Sequence, residues 1–242
     1  EKLYVTNYDA NTNDAHDTTV DTSLMTGLTT IGLTASNGTG DTEFTGVKSI
    51  VATEMRNGAG DFTVTYLTDT VKGTADAATL TVSNQTAGTF TSDGIETLTI
   101  NSEVTKSTLA AVVSDKITKL VVTGDKDLEI TAAVNFVDGT TGDTTVDSTI
   151  DASAFTGGLT VTAEAMDQSI TTGSGDDSIT AGTESDTIVS GSGADSVTGG
   201  GGADSITTGA GADTITTTGA DNDTISAGAG ADTVNSATGN DS

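Results

Sequence analysis

Eight aspartates pace the C-terminal third of this chain: Asp177, Asp186, Asp195, Asp204, Asp213, Asp223, Asp232 and Asp241. Neighbours in the series are nine residues apart, except for ten between Asp213 and Asp223. Two residues after each of the first seven comes an aliphatic: Ile179, Ile188, Val197, Ile206, Ile215, Ile225 and Val234. A period of nine fits neither a helical face nor a heptad. It suits a coil in which about six residues turn a corner and about three form a short strand. Two units then close one coil of roughly eighteen residues, and stacked coils build two parallel sheets.

Strand side chains alternate in direction, so in Ser196-Val197-Thr198 only Val197 points inward. Burying one Val or Ile stabilises by roughly 1.5–3 kcal/mol. Ordering nine residues costs roughly 1–2 kcal/mol each in backbone entropy. A unit of this kind does not fold on its own apolar contacts. Its corners also stack like charges, about 4.8 Å apart: Asp177, Asp195, Asp213 and Asp232 on one edge, Asp186, Asp204, Asp223 and Asp241 on the other.

A hard divalent cation reverses the sign of that repulsion. Ca²⁺ takes six to eight oxygens from carboxylates and backbone carbonyls. The glycines before each aspartate let the corner adopt positive φ and turn carbonyls toward an ion. Candidate carbonyl donors are Gly173, Gly175, Gly191, Gly193, Gly200, Gly202, Gly209, Gly211, Gly228 and Gly230. Counting neighbouring corners on both edges gives about six Ca²⁺ ions.

The units resemble the RTX nonapeptide G-G-x-G-x-D-x-U-x, a Ca²⁺-binding parallel β-roll. The resemblance covers residues 172–242, with Gly199-Gly200-Gly201-Gly202-Ala203-Asp204-Ser205-Ile206-Thr207 among its best copies. The motif's first glycine is usually Ser, Thr or Ala here. Glu184 and Asp221 replace its later glycine, and an extra residue near Thr217 breaks the phase. The segment Ile150 to Ala163, "IDASAFTGGLTVTA", followed by such units, is similar to RTX-type surface-layer proteins of Gram-negative bacteria. That resemblance implies type I export and a Ca²⁺-dependent lattice on the bacterial cell surface. The chain's partner would be itself, with any contact to cell-surface polysaccharide made by a region outside this stretch. An RTX adhesin or toxin, with the repeats only a folding and export module, is the alternative.

Residues 1–171 lack the nine-residue period but carry Thr-rich strands such as Leu80-Thr81-Val82, Leu98-Thr99-Ile100, Leu120-Val121-Val122, Leu128-Glu129-Ile130 and Leu159-Thr160-Val161. A β-sandwich or an irregular parallel solenoid would suit them. The solenoid is preferred because it stacks directly onto the roll, with Leu159 to Ile170 as joining rungs and Gln168 where a further aspartate would sit. The expected fold is therefore all-β: a right-handed parallel β-solenoid, or irregular β-helix, continuing into a Ca²⁺-bound RTX β-roll truncated at its C-terminal end. One helical turn or two is expected near Thr108 to Asp115, "TLAAVVSD".

Composition narrows the function. The formal charge is −27, and all eight Lys and Arg lie at or before Lys126. Such a surface repels nucleic acid. No stretch is long and apolar enough to insert in a membrane as a helix. With no Cys, a metal is the available staple. His16 is the one histidine, so zinc sites and Ser-His-Asp catalysis lack their parts. Asp176-Asp177 could suggest a glycosidase pair, but their place in the repeat favours Ca²⁺. The expected class is a structural protein, not an enzyme. Tyr4, Tyr8, Tyr66, Phe44, Phe62, Phe90, Phe136 and Phe155 form no cluster along the chain and are read as packing.

Overall fold

The structure is a computed structural model and describes residues 1–7, 18–37, 40–134, 136 and 148–242. His16, Tyr8, Asp138, Asp143 and Asp147 lie outside the described residues. Every strand pairing among the described residues is parallel. The chain winds as a β-solenoid with one 11-stranded sheet running from Lys2–Asn7 to Thr224–Ser226. A 5-stranded sheet accompanies its N-terminal coils and a 7-stranded sheet its C-terminal ones. The solenoid reading of the front region thus prevails over the sandwich. The phrases at Leu80, Leu98 and Leu120 fall inside strands of the 11-stranded sheet, and those at Leu128 and Leu159 inside strands of the 7-stranded one.

The expected helical turn near Thr108 to Asp115 is absent. Ser107–Leu109 is a strand of the 7-stranded sheet, and Ala111–Val113 is a strand of the 5-stranded one. This coil is where the wall changes partner, with Ala110 at the joint. A helix of eight residues is only marginally stable by itself, while Ser107 and Leu109, and then Val112 and Ser114, point inward at strand spacing. Phe90 on one neighbouring coil and Leu128 on another offer paired backbone at once.

The core changes along the axis. In the front coils Phe44, Phe62 and Phe90 stack edge to face, with centroids 5.5 and 5.8 Å apart. These rings, distant in the chain, meet because Phe62 and Phe90 are register partners and Phe44, opposite Val64, is the next residue on the same face of the paired strands. From Gln168 onward the coil contracts to the eighteen-residue repeat, and the interior narrows to one aliphatic per strand. Ile170, Ile188, Ile206 and Ile225 line one wall, and Val161, Ile179, Val197, Ile215 and Val234 the other.

Corners this tight leave no room for Cβ atoms. Gly191 has φ 92°, and a Cβ there would run into the Gly173 carbonyl of the coil before. Gly27, at φ 75°, meets nothing within 4 Å. Gly191→Ala is therefore expected to destabilise the Ca²⁺-loaded protein by more than about 2 kcal/mol, and Gly27→Ala by only about 1 kcal/mol. Urea unfolding in excess Ca²⁺ measures the difference.

Candidate metal centre

Two rows of aspartates line the corners of the roll, as the period requires. On one edge the backbone N–H of Asp177 donates to Asp195 Oδ1 at 2.9 Å, Asp195 to Asp213 Oδ1 at 2.9 Å, and Asp213 to Asp232 Oδ1 at 3.1 Å. On the other, Asp186 donates to Asp204 Oδ1 and Asp204 to Asp223 Oδ1, both at 2.9 Å, and Asp223 to Asp241 Oδ1 at 3.0 Å. One oxygen of each carboxylate thereby fixes the register of successive coils.

The second oxygen is the informative one. Asp177, Asp195, Asp204 and Asp213 are only 1–2 % exposed, and the Oδ2 of each is buried without a hydrogen-bond partner. The Thr172 hydroxyl lies beside Asp177, but its single proton goes to the Ser190 carbonyl at 2.8 Å. Buried, ionised and unpaired oxygens are among the costliest features a fold can carry. A row of them fits a cation. Among the described residues no three carboxylate or imidazole side chains converge into a cage, so backbone oxygens must complete any such site.

The glycines place those oxygens. Gly191, Gly193, Gly200, Gly202, Gly209, Gly228 and Gly230 have positive φ. Gly173, Gly175 and Gly211 do not, contrary to the reading that positive φ is the general reason for these glycines. A Cβ on Gly173, Gly175 or Gly211 would instead collide with the backbone of Phe155, Gly157 or Gly193. In both cases the outcome is a carbonyl stacked against the corner of the neighbouring coil. Bound there, Ca²⁺ would neutralise the carboxylate rows and accept the stacked carbonyls as ligands.

The two edges are not equal. Where Glu184 replaces a glycine, Asp186 turns Oδ2 onto its own corner, accepting from Gly182 N–H at 3.2 Å. Where Asp221 does so, its Oδ2 reaches back to Gly202 N–H at 3.3 Å. The extra residue is absorbed in the same corner: Thr218 bonds Gly200 across 18 residues, but Asp204 meets Asp223 across 19.

Two further ladders escaped the sequence reading. Hydroxyls of Thr172, Ser190 and Thr208 each donate to the carbonyl one coil on, at Ser190, Thr208 and Ala227. They occupy the motif's first position, where Ser and Thr on alternate units were the available signal. Side chains just before the ladder position also act as acceptors. Asp176 Oδ1 takes the Ala194 N–H at 2.8 Å, and Asp167 Oδ1 that of Ser185 at 3.0 Å. Outside the roll, Asp151 is paired with Lys119 at 3.2 Å and with the Ser153 hydroxyl at 2.8 Å.

Burial pushes the carboxyls of Asp177, Asp186, Asp195 and Asp204 up. Desolvation is the main cause at Asp177, raised to about 6, at Asp186, raised to about 7, and at Asp204, raised to about 6. The neighbouring carboxylates Asp195, Asp204 and Asp223 respectively add to it, while backbone N–H donors oppose it. Asp195 is raised for the same primary reason.

Unfolded aspartates titrate near 3.9, so between about pH 4 and 7 the metal-free fold holds more protons than the unfolded chain. Its stability then rises as pH falls through 7 and 6, and is complete near 4. Ca²⁺ needs the ionised form, so its apparent affinity falls over the same window. Circular dichroism of metal-free protein should show more β-sheet at about pH 5 than at about pH 8, while calcium half-saturation should need a higher calcium concentration at about pH 5 than at about pH 8. Asp195→Asn keeps the acceptor but removes the charge. It should raise the metal-free melting temperature, and weaken calcium half-saturation by roughly tenfold or more, as read by melting curves with and without Ca²⁺.

Residues 164–197, 180–215 and 217–242 match the family described as the RTX calcium-binding nonapeptide repeat (4 copies). No curated protein and no solved structure matches the chain. The match falls on the coils whose corners carry the unpartnered carboxylate oxygens, and it begins at Glu164, in the corner that leads into Gln168. The C-terminal part of this chain is thus an RTX calcium-binding repeat array, wound as a parallel β-roll.

Proposed function

We propose that the chain is a non-enzymatic structural component of a bacterial surface layer. In this reading it leaves the cell unfolded, folds outside around several Ca²⁺ ions, and assembles with copies of itself into a two-dimensional lattice. One observation carries the calcium step: four buried Oδ2 atoms in stacked corners have no partner, in a chain whose formal charge is −27. Cytosolic Ca²⁺ is scarce and external Ca²⁺ plentiful, so the missing ligand arrives only after export. Each site then adds RT ln(1 + [L]/Kd) to stability. RTX repeat proteins are in general secreted, which supports an extracellular place for this chain.

The lattice step is supported by the surface. Continuous parallel sheets present polar outward-facing side chains, as at Ser196, Thr198, Thr214 and Thr216. Divalent ions also relieve the mutual repulsion of such acidic copies.

Adding millimolar Ca²⁺ to chelated protein is expected to produce a large gain in β-sheet circular dichroism. Electron microscopy of the same sample should show ordered sheets. Identical spectra in chelator and calcium would refute calcium-driven folding. Folded but persistently monomeric protein would instead assign the chain to an adhesin or toxin module.

A further inference from the structure

Gln168 holds the ladder position one coil before Asp186. Its N–H donates to Asp186 Oδ1 at 2.9 Å, the bond that every ladder aspartate makes to its successor. The side chain is 1 % exposed. Its Nε2 makes a long 3.5 Å contact with the Glu164 carbonyl, and its Oε1 is buried with no partner. An unpaired amide oxygen in that setting is costly. It bears the same signature as the Oδ2 atoms of Asp177, Asp195, Asp204 and Asp213.

The other edge ends differently. There the equivalent position is Leu159, fully buried, whose N–H donates to Asp177 Oδ1 at 2.8 Å. One row of corners stops in hydrocarbon. The other stops in a neutral oxygen ligand.

Backbone oxygens continue past the aspartates on the Gln168 edge as well. A Cβ on Gly182 would collide with the Glu164 carbonyl, just as one on Gly200 would collide with the Gly182 carbonyl. Ser148, in register with Gln168 on the preceding coil, likewise has a buried Oγ without a partner. Asp186 has both oxygens engaged by backbone N–H groups, but a carboxylate offers about four lone-pair positions and can serve a cation as well.

We propose that the cation row on this edge extends one coil beyond its aspartates, with a Ca²⁺ ion held between the corners of Gln168 and Asp186 by the Gln168 Oε1, the Asp186 carboxylate and the Glu164 carbonyl. Amide and backbone carbonyl oxygens are ordinary Ca²⁺ ligands, and affinity follows the number of charged ones. This ion has one carboxylate from the ladder pair where the others have two. It is the last to load. The proposal rests on the reading that the repeats bind Ca²⁺, and adds to it a site at a position the aspartate pattern leaves out.

The test counts ions on the full chain by native mass spectrometry and calorimetric titration with CaCl₂. Gln168→Leu, which copies Leu159, should bind one ion fewer than wild type and keep its calcium-induced β-sheet signal. Gln168→Asp should bind the wild-type number, with the weakest site filling at roughly tenfold lower calcium. Equal counts in wild type and Gln168→Leu would overturn the proposal while leaving calcium binding by the aspartate rows intact. Wild type that takes up no calcium would overturn that underlying reading instead. If Gln168→Leu does not fold, the Gln168→Asp titration decides alone, and a curve unchanged from wild type overturns the site.

Discussion

The architecture of the roll turns on a carboxylate buried beside its own copy, one strand spacing away. Each ladder aspartate gives one oxygen to a backbone N–H of the neighbouring coil, which sets the register. The other oxygen has no role in the protein's own hydrogen bonding at four of these corners. Apolar contacts cannot offset that burden, because each strand contributes a single inward aliphatic. The same side chain therefore specifies the fold and opposes it, and a bound cation would tip the balance toward the fold.

The nine-residue period disclosed this much in advance. Phase alone assigned Asp177, Asp195 and Asp213 to one edge and Asp186, Asp204 and Asp223 to the other, because period-two alternation and fixed strand spacing leave no other register. Gln168 was legible as a ladder position for the same reason. What the period does not encode is which way a carboxylate oxygen turns. At Asp186 one oxygen turns toward Gly182 N–H, in the corner that carries Glu184, a local detail invisible to spacing.

The front coils were less legible because their spacing varies. Cross-coil hydrogen bonds there span 20 residues at Asp41–Asp61 and 28 at Asp61–Thr89, so no single period predicts which residues meet. The stacked rings of Phe44, Phe62 and Phe90 could not be read from a sequence that separates them. "TLAAVVSD" misled for a related reason. Its Ala and Leu favour a helix by intrinsic propensity, but paired edges on both sides override a preference worth a fraction of a kcal/mol per residue.

This division of labour has a consequence for assembly. The front coils bury aromatic and branched side chains, and among them Asp61 Oδ1 receives the Thr89 N–H at 2.6 Å. The roll's corners have no comparable apolar interior. Its first strands, Gln168–Thr171 and Ser178–Thr180, pair directly with Ser148–Asp151 and Leu159–Thr162 of the wall before them. A preformed edge removes the nucleation cost of the first coil, after which each coil meets only its neighbours, as in a one-dimensional array. Winding would then start at the apolar end and proceed coil by coil along the roll. Calcium taken up between two aspartate corners would order the edge on which the next pair forms, whereas the weaker site at the Gln168 corner would be wound first and filled last.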